Sequence, residues 1–437
     1  MRGRRAGIVT TAVTLAVILG AAGAGAQGTG GAAAPADTFG TYEPNSGFKV
    51  ARTDKGDLSL RIYTYVRYLN QQGLDETYTD SFGSTSTLDR RQDIQLQKVT
   101  VNFQGWLMSR KLGYLFYVWT SNTNQGLDAS VVVGGNVQYA FDPHLTVGAG
   151  IDALPGVRAT EGNFPFWLTA DNRLMADEFF RPSYTMGVWA RGKVVERLSY
   201  RFMLGNNLSQ LGVDAGQLDD QLNTVAAALV WLPTTGEFGT RGGFGDFDGH
   251  ERVATRAAAH FTRSDEDRQS QPTSAAFENV TIRLSDGNPI FKSDLFGPGI
   301  QVDKAAYQMF SADGGVKYRG FALEGEYYRR WVNDLRGAGT ETLAFDELVD
   351  DGFQLQASGM AVPQTLQGYA GYSKVFGEYG EPWDLRVGLN WFPWRNQVVR
   401  WNLEYLHTDR SPVGGLSLPT VVGGTGDIFY TTFQVNF

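Results

Sequence analysis

The chain contains no cysteine and only four histidines among its 437 residues. Without cysteine there is no disulfide scaffold, no thiolate-ligated zinc or iron–sulfur site and no thiol nucleophile. His144, His250, His260 and His407 make no H-E-x-x-H motif and no close pair, so no metal or other cofactor is expected. Enzyme signatures are missing as well. His407 with Asp409 and Ser411 reads as turn chemistry rather than a catalytic triad. Asp246-Phe247-Asp248-Gly249 opens like a calcium loop but places Ala257 where that loop needs a Glu. The stretch GTRGGFG (239–245) lacks the following Lys-Ser/Thr of a phosphate loop. A non-enzymatic protein is expected. Basic charge is in deficit: 38 Lys+Arg face 46 Asp+Glu, and a pI of about 5.2 argues against a nucleic-acid partner.

Long apolar runs are equally scarce. The longest, Ile8 to Ala22, follows Arg2, Arg4 and Arg5 and precedes Ala24-Gly25-Ala26. A charged start, a short apolar middle and a small-x-small exit describe a secretory signal peptide over residues 1–26. The run is shorter than the ~20 residues a spanning helix needs. Cleavage after Ala26 removes three arginines and takes the net charge from −8 to −11. Residues 27–57, Gly/Ala-rich at first, read as a flexible leader.

What the chain has in abundance is glycine, 54 residues, and alternation. Leu58, Leu60, Ile62, Thr64, Val66 and Tyr68 share one face of a period-2 segment, with Arg61, Tyr63, Tyr65 and Arg67 on the other. The pattern recurs in about sixteen segments: 58–69, 94–107, 112–120, 129–141, 145–153, 181–191, 197–206, 222–232, 252–263, 306–318, 321–332, 352–361, 365–375, 384–392, 397–407 and 427–437. Connectors alternate between short turns and longer polar loops. This is the signature of an all-β, up-and-down antiparallel transmembrane β-barrel over residues 58–437, in the outer membrane of a Gram-negative-type bacterium. Two connectors break the rule: 233–251 is long on the short side and 376–383 is short on the long side. Closure satisfies every backbone group in hydrocarbon. Trp106, Tyr139, Trp231, Tyr318, Trp383, Trp391 and Trp394 stand where interfacial girdles belong. Sixteen strands leave an aqueous bore, and Gly134, Gly148, Gly150 and Gly371 would keep its wall open. The last strand ends at Phe437, resembling the terminal signature that outer-membrane proteins offer to the barrel-assembly machinery.

The segments NRLMADEFFRPSYTMGVWARGKV (172–194), ALEGEYYRRW (322–331) and DDGFQLQASGMAVPQTLQGYAGYSKV (350–375), with the last strand, resemble the phosphate-selective porin O/P family of bacteria. The resemblance covers most of the mature chain as an order of segments. It implies a sixteen-stranded barrel, a homotrimer, and passive passage of small anions, phosphate among them. Selectivity in that family rests on lumenal arginines and a lysine cluster. Here the candidate constriction loop, 154–180, offers Arg158 and Arg173 beside Phe166 and Trp167, and no lysine cluster.

Assigning each apolar strand face to lipid turns the other face toward water. Thirteen basic residues then point inward against six acids, an excess of seven positive charges. Arg61, Arg67, Arg201, Arg256, Lys317, Arg330, Arg386 and Arg400 are the pore-lining candidates, and such a lining favours anions. The alternative for two of them is wall stiffening, Arg330 pairing with Glu324 or Glu326 and Arg400 with Glu404. The alternative for the whole molecule is a structural or adhesive barrel with a closed bore.

Overall fold

A computed structural model describes residues 42–43, 47–121, 130–211, 213, 217, 222–271, 282–415 and 418–437. The expected signal peptide and most of the expected leader lie outside the described residues.

Sixteen long strands form one antiparallel sheet that closes on itself. They are β1 (Gly56–Leu74), β2 (Gln92–Leu107), β3 (Ser109–Ser121), β4 (Ser130–Asp142), β5 (Leu145–Ala153), β6 (Tyr184–Val195), β7 (Leu198–Gly205) and β8 (Thr224–Trp231), followed by β9 (Ala254–Asp267), β10 (Lys304–Tyr318), β11 (Phe321–Arg336), β12 (Glu347–Val362), β13 (Leu366–Phe376), β14 (Trp383–Trp391), β15 (Val399–Asp409) and β16 (Gly426–Asn436). Each pairs with its chain neighbour, and β16 pairs with β1 from Gly426↔Leu74 to Asn436↔Tyr63. The strand order is the one the alternation predicts. A closed sixteen-strand barrel with an apolar outer belt is an outer-membrane architecture, and the chain is an outer-membrane protein of that type.

The outer face carries the belt: Val131, Val133, Leu229, Leu323, Val387, Leu389 and Phe433 are all exposed. Trp231, Trp391 and Trp394 stand outward at the end that holds the short turns. The inner face is Gln-, Asn-, Ser- and Arg-rich around Gln354, Gln356, Asn390, Asn402 and Gln434, all buried.

Three expectations change. The leader is not irregular throughout, because Gly47–Arg52 forms a strand paired with the first turn of β1, Phe48↔Leu60 to Arg52↔Asp57. Arg181 is not on a strand; it follows a short helix and pairs with Glu178. The wall glycines do not leave open space. A Cβ on Gly134 would fall 2.5 Å from the Tyr117 ring, and one on Gly148 would fall 2.1 Å from Trp189, so both are slots for aromatic rings from the neighbouring strand.

Candidate pore constriction

Residues 154–183 leave β5 and turn into the barrel. The neck is closed by Leu154 N–H donating to the Ser183 carbonyl (2.9 Å). Helix α1 (Met175–Phe180) is stopped by Arg181-Pro182, since a residue before proline avoids helical angles. Its first amides are satisfied by the wall: Met175 N–H donates to Asp384 on β14 (3.2 Å) and Ala176 N–H to Ser373 on β13 (3.0 Å). Its apolar residues land where the wall has no side chain. The Phe180 ring covers Gly352 and stacks on Tyr328 at 5.1 Å, and Leu174 covers Gly371. Phe179, Phe180, Met309, Tyr328, Val332 and Val375 belong to a buried apolar cluster inside the barrel, a feature the alternation gave no sign of.

The long connector on the short-turn side also folds inward. Lys317 on β10 donates to the carbonyls of Phe238 (2.9 Å) and Gly243 (2.5 Å), and Phe238 packs over Gly315. Phe244 N–H donates to the Phe166 carbonyl (2.7 Å), joining this connector to the loop from the other side. Gly245 N–H donates to Glu324 (2.9 Å). Arg158 lies between Phe238 and Phe244, with its guanidinium on Glu324 and its backbone N–H on Glu326. Nearer the turn, Asp246 accepts from Gly320 N–H (2.7 Å) and from His250, whose other ring nitrogen meets Glu237 at 3.0 Å.

Most of the cations expected along the pore are held by these two segments or by the wall. Arg256 pairs with Asp313 (2.6 Å) and with Glu161 of the loop (2.7 Å). Arg330 pairs with Asp350 (2.6 Å) on the neighbouring strand, its register partner, and not with Glu324 or Glu326. Arg386 takes Asp384 (2.8 Å) and approaches Glu404 (3.6 Å). Arg400 donates to the carbonyls of Trp167 (2.5 Å) and Thr169 (3.2 Å), so Glu404 is not its partner. Arg67 donates to Gln95 (2.9 Å) and is buried. Arg173 stacks on Trp167 at 4.3 Å and reaches Glu178. Phe166 and Trp167 are buried. Arg61, Arg67, Arg256, Lys317, Arg330, Arg386 and Arg400 are buried. Single-strand reading could not see the acids that antiparallel register and the loop set opposite them.

Glu161, His260 and Asp313 bring three ligand-type groups together. Arg256 already takes both carboxylates, and His260 Nε2–H donates to Asp313 at 2.9 Å, so the group is an ion-pair network.

Four guanidiniums stand apart. Arg61 (β1), Arg191 (β6), Arg201 (β7) and Arg241 (the connector) have no carboxylate within ion-pairing distance among the described residues; Arg191 donates to Gln138 (2.6 Å). Arg191 and Arg201 are direct register partners, a like-charge pairing that costs stability. Arg201 reaches toward the loop, its Nη1 3.8 Å from where a Cβ on Gly162 would sit. Arg241 is within electrostatic reach of both Arg61 and Arg201, and of Tyr184 on β6. Arg241 was missed by strand parity because it is on no strand. The signal that could have found it is the anomalous length of 233–251.

No protein-family model and no curated protein matches the chain, whereas solved structures do. An anion-selective porin from Comamonas acidovorans aligns with TM-score 0.54 and 10% identity, covering 88% of this chain and 100% of the porin. The fold is that of an outer-membrane porin. A trimer form of OmpT from Vibrio cholerae aligns with TM-score 0.54 and 10% identity over 88% of this chain and 100% of that one. The channel DcaP of Acinetobacter baumannii aligns at 0.51 and 9% over 88% and 99%. In this porin-like barrel, loop 154–183 takes the inward course and also packs on β1 and β2, Phe164 against Tyr63 and Asp171 on Lys98.

Proposed function

We propose that the protein is a passive outer-membrane diffusion channel that prefers small anions, acts as a homotrimer, and is not an enzyme. The observation that carries the reading is the sorting of lumenal cations. Those packed under the loop and connector are paired or hydrogen-bonded, while Arg61, Arg191, Arg201 and Arg241 have no carboxylate within ion-pairing distance among the described residues, Asp152 and Glu161 acting on Arg191 and Arg201 only from farther away. A low-dielectric wall focuses their field, and unpaired arginines in a pore favour anions. Phosphate belongs to the class such a lining admits. The trimer form of the Vibrio OmpT barrel supports the oligomer. Export through the 1–26 signal and recognition of Phe437 by the assembly machinery complete the proposal.

The filling of the bore by two inward segments favours the second reading, a structural barrel with a closed bore. Planar-bilayer recording of the purified protein separates the two: stepwise conductance supports the channel, and a silent, folded protein supports the closed barrel.

A further inference from the structure

We infer that the connector 233–251 is a second constriction element, entering from the periplasmic side, and that Arg241 at its tip is a selectivity-determining residue of the channel. The inference rests on the channel reading above and adds to it a residue and an element outside the strands and outside loop 154–183.

The connector is built to hold a fixed shape inside the barrel. Lys317 clamps two of its carbonyls, Phe238 fills the space over Gly315, and Phe244 is hydrogen-bonded to the loop. Below the tip, Thr240 N–H donates to Asp248 (3.0 Å) and Gly239 N–H to Glu237 (2.8 Å). Arg241 itself is held at φ 52°, a left-handed conformation that costs a non-glycine residue energy and persists only where its surroundings impose it. Its side chain is solvent-exposed, yet the groups around it are the inner faces of β1, β6 and β7 and the ring of Phe166 at 5.9 Å. An exposed guanidinium ringed by inner wall faces is in the bore. No carboxylate pairs with it among the described residues, and the charged groups within electrostatic reach of it, Arg61 and Arg201, are also cations, beside the Tyr184 phenol. It therefore adds its full charge to the narrow part of the passage, where focusing is strongest.

The absence of native cysteine allows a direct chemical test in the full-length protein. Arg241→Cys is reconstituted in planar bilayers and its reversal potential measured under a potassium chloride gradient, before and after reaction with a trimethylammonium thiosulfonate or a sulfonate thiosulfonate. The anion/cation permeability ratio is expected to fall by roughly twofold on substitution, recover with the cationic reagent and fall further with the anionic one. Lys317→Met, which frees the clamped carbonyls, is expected to lower the ratio and raise the open-channel noise. Where that variant yields too little barrel, Phe238→Ala serves as the connector variant. The inference is overturned if Arg241→Cys keeps the wild-type ratio, or if both reagents have the same effect, while Arg201→Ser still lowers the ratio. A wild-type channel without anion preference would instead overturn the reading on which the inference rests.

Discussion

Phe180, Leu174 and Phe238 each meet a wall position with no side chain, at Gly352, Gly371 and Gly315. These contacts fix both inward segments, and they give glycine a different role from the open-wall one the sequence suggested. A Cβ on Gly352 would fall 2.3 Å from the Phe180 ring. Gly352→Ala should therefore destabilise the barrel by about 1–3 kcal/mol, through overpacking. Phe180→Ala should cost on the order of 3 kcal/mol through the cavity it leaves. Urea unfolding followed by heat-modifiable gel mobility measures both, and unchanged midpoints would reject the anchoring role. The buried pair Arg330–Asp350 makes a second residue-scale expectation. Asp350→Ala strands a buried guanidinium and should cost about 3–5 kcal/mol, whereas the double variant Arg330→Met, Asp350→Leu should recover much of the loss. If the double variant is no better than the single one, the pair is not the origin of the cost. Such pairs were invisible to strand-by-strand reading, which located Arg330 on the inner face but could not supply its cross-strand neighbour.

Among the elements, the strands were legible because a one-residue slip would turn lipid-facing side chains into the lumen, so the alternation is strict. The segments that narrow the bore were less legible. The loop read as 154–180 showed through its length and its Phe, Trp and Arg content; the connector showed only as an exception to the short-turn rule. His250 lets the connector be probed by pH. Burial draws its pKa down, but hydrogen bonds and charge from Asp246 and Glu237 outweigh that and hold it above the ordinary 6.5. Asp248 and Lys317 lie near the same turn, one of each sign. A raised folded-state pKa means that the protonated contact contributes its full stability below 6.5 and loses it as pH rises through the higher folded value. Amide exchange corrected for intrinsic rates should show residues 236–250 better protected at pH 5.5 than at pH 8.5, and His250→Gln should abolish the difference. Equal protection at both pH values in the wild type would reject the latch. The strand Gly47–Arg52 adds a seam at the same end: it pairs with β1 where β16 stops, Phe437 exchanges backbone hydrogen bonds with Ile62 (2.6 and 2.9 Å), and the Phe437 ring meets Phe48 at 5.8 Å. Deleting residues 47–52 should lower the heat at which the folded band is lost, and more so when combined with Phe437→Ala. An unchanged transition would mean that the seam is only an accessory.

At the scale of the molecule, whole-chain charge and pore charge point in opposite directions. The chain is acidic overall, net −8, but exposed loop carboxylates more than ~10 Å away are screened at 0.1 M salt, so charges on the inner wall should weigh more in selectivity. The sequence count of seven excess positive charges overstated the effect, because it left out Asp350, which pairs with Arg330, and the loop acids Glu161 and Asp171, which pair with Arg256 and Lys98. Four unpaired guanidiniums carry the central claim. Its most direct test is the reversal potential of the wild-type channel and of the Arg191→Ser, Arg201→Ser double variant in a tenfold potassium chloride gradient. The wild type should reverse on the chloride side of zero, and the double variant should move toward zero, with the shift growing as ionic strength falls. A cation-selective wild type, or a double variant that reverses where the wild type does, would contradict the account.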